Sequence, residues 1–338
     1  MKETTPPGKP NPLTKLFDRF FAGRYRQLDW LFLLRPVLLI PVWTMTAAGF
    51  GAGSWLSSPD LFWHVAWNWT VLLVFIGITL IVGAAFIQVQ LQQNGEAEIK
   101  GHPNLLAESH IDPEKARRLA WICLGLGVLL LLPGGWVAVI AGIAIYAIWG
   151  LLYGSNTAIW RNRPAIDILI HLLAGAVLFY VGWGTSGAPL SGSLNVAAPY
   201  VLGFAGITAL IAITPGPRFP EDSPRPGKTA ITNASSFAAV LAIAATIWGY
   251  SNGDPIISTT AVLTLPFHAV GLYFRREIDM LRTSRYAILI FVIFAGTRYP
   301  LLYIPIILDF YLSRYYYRRR FGFPHPCFHA PDIEWTGV

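Results

Sequence analysis

Charge is scarce in this chain: only 13% of its 338 residues are Asp, Glu, Lys or Arg, while 54% are apolar. Together with a positive mean hydropathy, that excludes a soluble domain, and several stretches exceed the roughly 18 apolar residues that mark a spanning helix. Cysteine is nearly missing. Cys123 and Cys327 are too few for a disulfide framework and too far apart for a metal pair. No tandem repeat at solenoid periods and no low-complexity linker divides the chain. The simplest organisation is a basic N-terminal tail over 1–26, one membrane domain over 27–315 and a C-terminal tail over 316–338. No short apolar segment with a small-residue cleavage site opens the sequence, so the first tail reads as cytoplasmic and the first span as the insertion signal.

What is present in quantity is membrane helix. Spans are predicted at 29–50, 68–90, 118–134, 136–154, 168–187, 197–214, 235–251, 257–274 and 286–312. The fold class is therefore an all-α integral membrane protein, a nine-helix transmembrane bundle. Its orientation follows from Lys and Arg, which are enriched in short cytoplasmic loops. The N-terminal tail has Lys15, Arg19, Arg24 and Arg26, and the loops after spans 2, 4, 6 and 8 are also basic. The loops Gly184–Asn195 and Ser251–Asp254 have neither residue, which puts the N-terminus on the inner side of the cytoplasmic membrane. The net charge of +7 is thus a topology signal. Its scatter over a tail and four loops, with no single stripe, argues against nucleic acid as a partner.

The last apolar stretch does not fit this scheme. Nine spans would leave Arg314 and Arg318, Arg319 and Arg320 on the outer side, although such residues favour the cytoplasmic surface. The stretch is interrupted at Arg298-Tyr299-Pro300, where proline favours a kink. A single kinked span over 286–312 is the expectation, because a hairpin would need two halves too short to cross.

The candidate functional residues sit at the ends of spans. Span 2 runs out through Gln88, Gln90, Gln92, Gln93 and Asn94. Gln88, Gln90 and Gln93 are cavity candidates, while Gln92 to Asn94 also suit a simple exit into water. The loop Thr214–Asn233 is rich in proline and brings Glu221, Asp222, Arg225 and Lys228 to the same membrane face. Arg161 and Arg163 follow span 4; Asp167 opens span 5, with His171 one turn further in. Asp167 suits a pairing with Arg163 or Arg161. A polar residue in a membrane helix marks a cavity, and His171 is read so. His102, His110 and His268 show no ligand spacing and read as ordinary loop or interfacial residues. Asp309, costly unless paired, has Arg298 or Arg314 as expected partners. Trp67, Trp69 and Trp160 fit an interfacial belt.

The order of several segments is specific. Leu33-Leu34-Arg35-Pro36 with Pro41-Val42-Trp43, then Tyr153 through Arg161-Asn162-Arg163-Pro164-Ala165-Ile166-Asp167, and finally Arg298-Tyr299-Pro300 with Ser313 to Gly322, resemble the UbiA superfamily of intramembrane prenyltransferases. The resemblance covers roughly residues 27–323. It implies a bundle around a central, lipid-accessible cavity open to the cytoplasm. In active relatives, two Asp-rich motifs hold magnesium ions that grip the diphosphate of a polyprenyl donor, since hard divalent cations take oxygen ligands.

Those acids are what the sequence lacks most tellingly. Against the pattern Asn-Asp-x-x-Asp-x-x-x-Asp, Val89 stands at the Asn, Gln90 and Gln93 at the first two acids and Ala97 at the third. In the second motif Gly216 and Pro220 fall at the aspartates. Glu96, Glu221 and Asp222 are the remaining acids that could ligate a metal, all displaced. Arg161, Arg163, Arg225 and Lys228 are the diphosphate-binding candidates; as loop-end cations they equally suit lipid-headgroup anchors. Three readings follow. One is a divergent prenyltransferase or terpene-cyclase-like enzyme acting on a polyprenyl diphosphate, with magnesium only if activity survives. Another is a non-catalytic relative that binds a prenyl lipid, quinone or pigment, or scaffolds a membrane enzyme. The weakest is a lipid transporter, because the diagnostic segments lie in loops suited to donor binding.

Overall fold

A computed structural model describes Phe17, Phe21 and residues 25–57, 68–92, 98–99, 102–108, 111–154, 164–212, 228–274, 277–297, 299–321 and 325. Apart from one antiparallel pairing of Glu98–Ile99 with His102–Pro103, the described elements are helical. A short helix α1 (Asp29–Phe32) precedes α2 (Leu39–Ser57), and α3 spans Trp69–Gln92. After the single turn α4 (Leu105–Glu108) come α5 (Pro113–Leu131) and α6 (Gly135–Tyr146), the latter continued by a π-helical segment, Ala147–Tyr153. The remaining helices are α7 (Pro164–Ser186), α8 (Ser193–Ala212), α9 (Lys228–Ser251), α10 (Pro255–Phe274), α11 (Glu277–Thr297) and α12 (Tyr303–Phe321).

Among the described residues, seven helical stretches are long and apolar enough to cross a membrane; the 41-residue one, Pro113–Tyr153, is two helices in sequence. These turn back on each other at Leu132–Gly134, where Gly135 takes φ +84°, a conformation that glycine adopts without a Cβ penalty. α3 packs along α5 and against the π segment; α6 packs on α7; and α8 to α11 follow as sequential neighbours. α2 lies against both α7 and α11 and so joins the two halves. Lipid tails are as apolar as the side chains, so association of such helices depends on close packing. At Gly49 and Gly182 the α2–α7 contact is backbone on backbone: a Cβ on Gly49 would sit 1.9 Å from Phe179 O, and one on Gly182 would sit 1.9 Å from Thr46 O. No other residue fits either place.

The ninth predicted span is where the structure differs. In place of one kinked helix over 286–312, α11 and α12 run 21 and 19 residues and are joined by a 3-10 turn at Pro300–Leu302. Each is about 30 Å long at 1.5 Å per residue, enough for the hydrocarbon layer. Hydropathy makes the halves look too short because their polar ends, Glu277 to Arg282 and Ser313 to Arg320, add helix without adding apolar length. α12 returns to the start of the bundle. Tyr316 stacks on Phe32 at 3.7 Å and donates a 2.6 Å hydrogen bond to Asp29 Oδ1, which Arg320 Nε also approaches at 3.4 Å. Tyr315 meets Phe17 and Phe21. Arg318, Arg319 and Arg320 thereby share a face with the N-terminal segment, and the charge conflict of a single ninth span disappears.

The opposite face is closed by neutral and acidic groups. Tyr200 donates to Asp254 Oδ2 at 2.7 Å, while Asp254 Oδ1 caps α10 by accepting from Ile256 N. Asn195 and Asn252 bond each other, and Trp248 Nε1 donates to Asn195 Oδ1.

Candidate functional site

Toward the basic face, four elements meet at a junction termed the mouth: the break between α1 and α2, the end of α3, the π segment, and the first half of α7, linked by the Gln90–Leu33, Gln92–Gly150 and His171–Trp149 contacts. The break is written by Arg35-Pro36. Proline disfavours right-handed helix in the residue before it, and Arg35 takes the left-handed conformation, φ 52°, ψ 62°. It is the one non-glycine residue with positive φ among those described. Such a backbone costs about 1–2 kcal/mol and persists where surroundings hold it.

Gln90 is what holds it. Fully buried, its Nε2 donates to Leu33 O at 2.8 Å and to Phe86 O at 3.2 Å. The amide thus ties α3 to the last turn before Arg35. Two residues on, Gln92 Nε2 reaches Gly150 O at 3.4 Å. This carbonyl lies within the π-helical segment, a widened turn frequent at functional sites. Trp149 of that segment stacks with Phe86 at 5.7 Å, and His171 of α7 packs near Trp149 and edge-on to Tyr153 at 5.4 Å. Arg35 lies within electrostatic reach of Tyr153 and Tyr317, and Tyr317 also senses Asp309.

Four buried polar atoms around this mouth have no hydrogen-bond partner: Arg35 Nη2, Gln90 Oε1, Gln92 Oε1 and Trp149 Nε1. Each such group costs about 1–3 kcal/mol while unpaired, and four in one place are the mark of a site that a polar ligand or water completes. The set comprises one cationic donor, one neutral donor and two neutral oxygens.

The sequence candidates divide as follows. Gln88, half-buried, and Gln90 lie on α3, and His171 packs near Trp149 and Tyr153 of the π segment. Gln92, read as an exit into water, is bonded to the π segment. Asp167 stands in the first turn of α7 and Lys228 begins α9; their side chains, and Gln93, Glu96, Arg161, Arg163, Glu221, Asp222 and Arg225 altogether, lie outside the described residues. Arg298 lies outside them too. Asp309 Oδ1 accepts from Ser313 Oγ at 3.1 Å, and Arg314, one of its two expected partners, is exposed. Its short serine neighbour is one helical turn away, whereas Arg314 projects from another face of α12. His268 is neither in a loop nor interfacial but buried inside the bundle, 2% exposed. Arg35 and Tyr153 enter the sequence reading only as motif residues and not as site candidates, and Trp149 does not enter it at all. An arginine within an apolar span is itself a signal; the π turn that brings in Trp149 and Tyr153 has none in the sequence.

No family model and no curated protein matches the chain in sequence. Its structure does have relatives. A UbiA homologue from Archaeoglobus fulgidus, bound to DMAPP and Mg2+, superposes with a TM-score of 0.58 at 16% identity, covering 82% of this chain and 99% of that one. The chain shares the fold of that UbiA homologue. The same homologue bound to GPP and Mg2+ gives 0.56 at 15% identity, over 81% and 99% of the two chains. A structure of digeranylgeranylglyceryl phosphate synthase gives 0.55 at 17%, over 80% and 98%. Within this UbiA fold, magnesium is a test of the donor set. Among the described residues no group of three His, Cys, Asp or Glu could hold a metal, and the mouth offers neutral amide oxygens. Two divalent cations beside a diphosphate call for carboxylates, and the candidate acids Glu96, Glu221 and Asp222 lie outside the described residues.

Proposed function

We propose that this chain is a divergent UbiA-type prenyltransferase whose donor diphosphate is held chiefly by cationic and neutral hydrogen-bond donors, without the two-magnesium cluster. The observation that carries the reading is the buried, unpartnered Arg35 Nη2 on a strained backbone, within electrostatic reach of Tyr153 and Tyr317. A guanidinium suits phosphate oxygens, and charge-assisted hydrogen bonds are about twice as strong as neutral ones. Trp149 Nε1 supplies a second donor. Arg161, Arg163, Arg225 and Lys228 would add charge from the loops. The prenyl chain enters the apolar interior. When its C–O bond breaks, the electron pair leaves with the diphosphate, and the aromatic faces of Trp149, Tyr153 and Phe86 shelter the allyl cation. The structural neighbours that hold DMAPP and GPP support this substrate class. The mouth lies on the cytoplasmic side of the membrane, with both termini there.

A second reading rests on Gln90. Its amide is committed to Leu33 and Phe86, so the position of the family's first acid serves structure, as in a protein that binds a prenyl lipid without turning it over or that scaffolds a membrane enzyme.

One experiment covers both. Purified protein is titrated with geranylgeranyl diphosphate and with geranylgeraniol, each with and without magnesium, and released diphosphate is assayed with candidate acceptors. Diphosphate binding tighter than alcohol binding, unaffected by chelation, supports the Arg35 site; diphosphate release then favours the enzyme and its absence the binding protein. Equal binding of the two ligands would remove the headgroup site altogether.

A further inference from the structure

The second half of the bundle holds polar groups that the mouth does not use. On α10, Thr260, Thr264 and His268 recur at one-turn spacing, so they share one face, and all three are buried. The two threonine hydroxyls donate to carbonyls of their own helix, Thr260 to Ile256 O and Thr264 to Ala261 O, each at 2.7 Å. Their protons are committed, and only lone pairs remain to face the interior. His268 Nδ1 is buried with no partner at all. One turn nearer the basic face, Ser235 Oγ on α9 is in the same condition, and Ser235 is 0% exposed.

Three of these side chains border a small void. Thr260, Thr264 and His268 line a crevice between α8, α9, α10 and α11, whose other walls include Gly203, Ala242 and Phe291. It is partly open, and it leaves about 10 Å³ for the centre of a water-sized group, which is room for one oxygen atom. No charged side chain lines it, so a diphosphate is excluded on both size and charge. Glycine and alanine on the facing helices leave the wall thin beside that space.

We infer that this crevice is a second ligand site, separate from the Arg35 mouth, that takes the hydroxyl of a slim neutral amphiphile, a long-chain primary alcohol. The hydrogen-bond inventory selects the group. Thr264 has no proton to give, so its partner must be a donor; a ketone or ether oxygen cannot serve. His268 offers an acceptor or a donor at Nδ1 according to its tautomer, and a hydroxyl answers either. The chain attached to that hydroxyl leaves past Gly203, the one lining residue that is not buried, toward lipid. Water has the same hydrogen-bonding chemistry without the tail, and the test separates the two.

The protein in lipid nanodiscs is photolabelled with a diazirine derivative of farnesol, with farnesol, dodecanol and farnesyl methyl ether as competitors, and the labelled peptides are identified by mass spectrometry. Label is expected in Lys228–Ser251 or Pro255–Phe274. The methyl ether, unable to donate, should compete about tenfold less well than farnesol, the equivalent of one hydrogen bond. Farnesol competing better than dodecanol would indicate an isoprenoid source, equal competition any membrane alcohol. Ala242→Leu fills the crevice and His268→Leu removes the ring, and each should abolish this label while Arg35→Ala leaves it intact. If Ala242→Leu melts like the parent and labels as strongly, or if label falls only on α1, α3 and the π segment, the crevice holds water alone and the inference fails. Because Arg35→Ala is expected to lose diphosphate binding without touching this label, failure of one site is distinguishable from failure of the other.

Discussion

Gln90 Nε2 donates to Leu33 O across 2.8 Å, joining the second span to the turn that sets Arg35. The position that the sequence resemblance aligns with the first acid of the UbiA metal motif is therefore a crosslink in this chain. Replacing Gln90 by Asp would restore the acid but not the metal site: the shorter side chain loses the donor, leaves Leu33 O unpaired and buries a charge. Gln90→Asp is expected to lower stability by about 1–3 kcal/mol, read as a fall in melting temperature in detergent, with no magnesium-dependent recovery. A magnesium-dependent rise would show that one substitution is enough to rebuild a metal site.

Arg35 separates strain from binding. Its left-handed backbone costs about 1–2 kcal/mol, which glycine does not incur. Arg35→Gly should therefore melt at or above the parent temperature while losing at least about tenfold in affinity for geranylgeranyl diphosphate, the loss of one charge-assisted hydrogen bond. Arg35→Ala keeps the strain and loses the same affinity. Titration calorimetry beside thermal unfolding checks both, and an Arg35→Gly protein that binds diphosphate normally would move the anion site to the loops.

Much of this architecture is legible in the amino-acid sequence. Spans of apolar residues report their own length, and the positions of α2, α3 and α5 to α10 follow. α11 and α12 do not, because a helix whose ends carry Glu277 and Arg320 looks shorter to hydropathy than its hydrogen bonds make it. Of the site, Gln88, Gln90 and His171 show as polar residues out of place in a span. Gln90's actual task is invisible, since nothing in the sequence names Leu33 O as its partner 57 residues away. His268 misleads for the opposite reason: an isolated histidine has no spacing to read, and only the packing of four helices shows that its ring faces a void.

Tyr316 and Asp29 are 287 positions apart and share a 2.6 Å hydrogen bond. A buried hydrogen bond to a carboxylate contributes about 1.5–3 kcal/mol. Tyr316→Phe keeps the stack on Phe32 and removes only the hydroxyl, so it should destabilise by that amount and selectively loosen α12. Amide exchange should rise in Tyr303–Phe321 more than in α5 or α6. Asp29→Asn combined with Tyr316→Phe should cost less than the two single changes summed, because both act on one interaction. Strict additivity would mean that the pair is not coupled.

His325 gives the docking of the C-terminal segment a pH dependence. It packs edge-on to Tyr317 at 5.0 Å. Burial first, and Arg285 second, depress its pKa from 6.5 to about 4. The neutral ring is the form that docks, so between those two values the undocked segment binds more protons and docking strengthens as pH rises. Docking is complete above about 6.5 and weakens as the medium is acidified toward the docked value. Amide exchange or limited proteolysis after Phe321 should accelerate from pH 7 to pH 5 in the parent protein. In His325→Phe, which preserves an aromatic contact with Tyr317 and removes the titrating nitrogen, the rate should be flat over the same interval. A parent protein whose C-terminal segment is equally protected at pH 5 and pH 7 would mean that the ring does not dock in its neutral form.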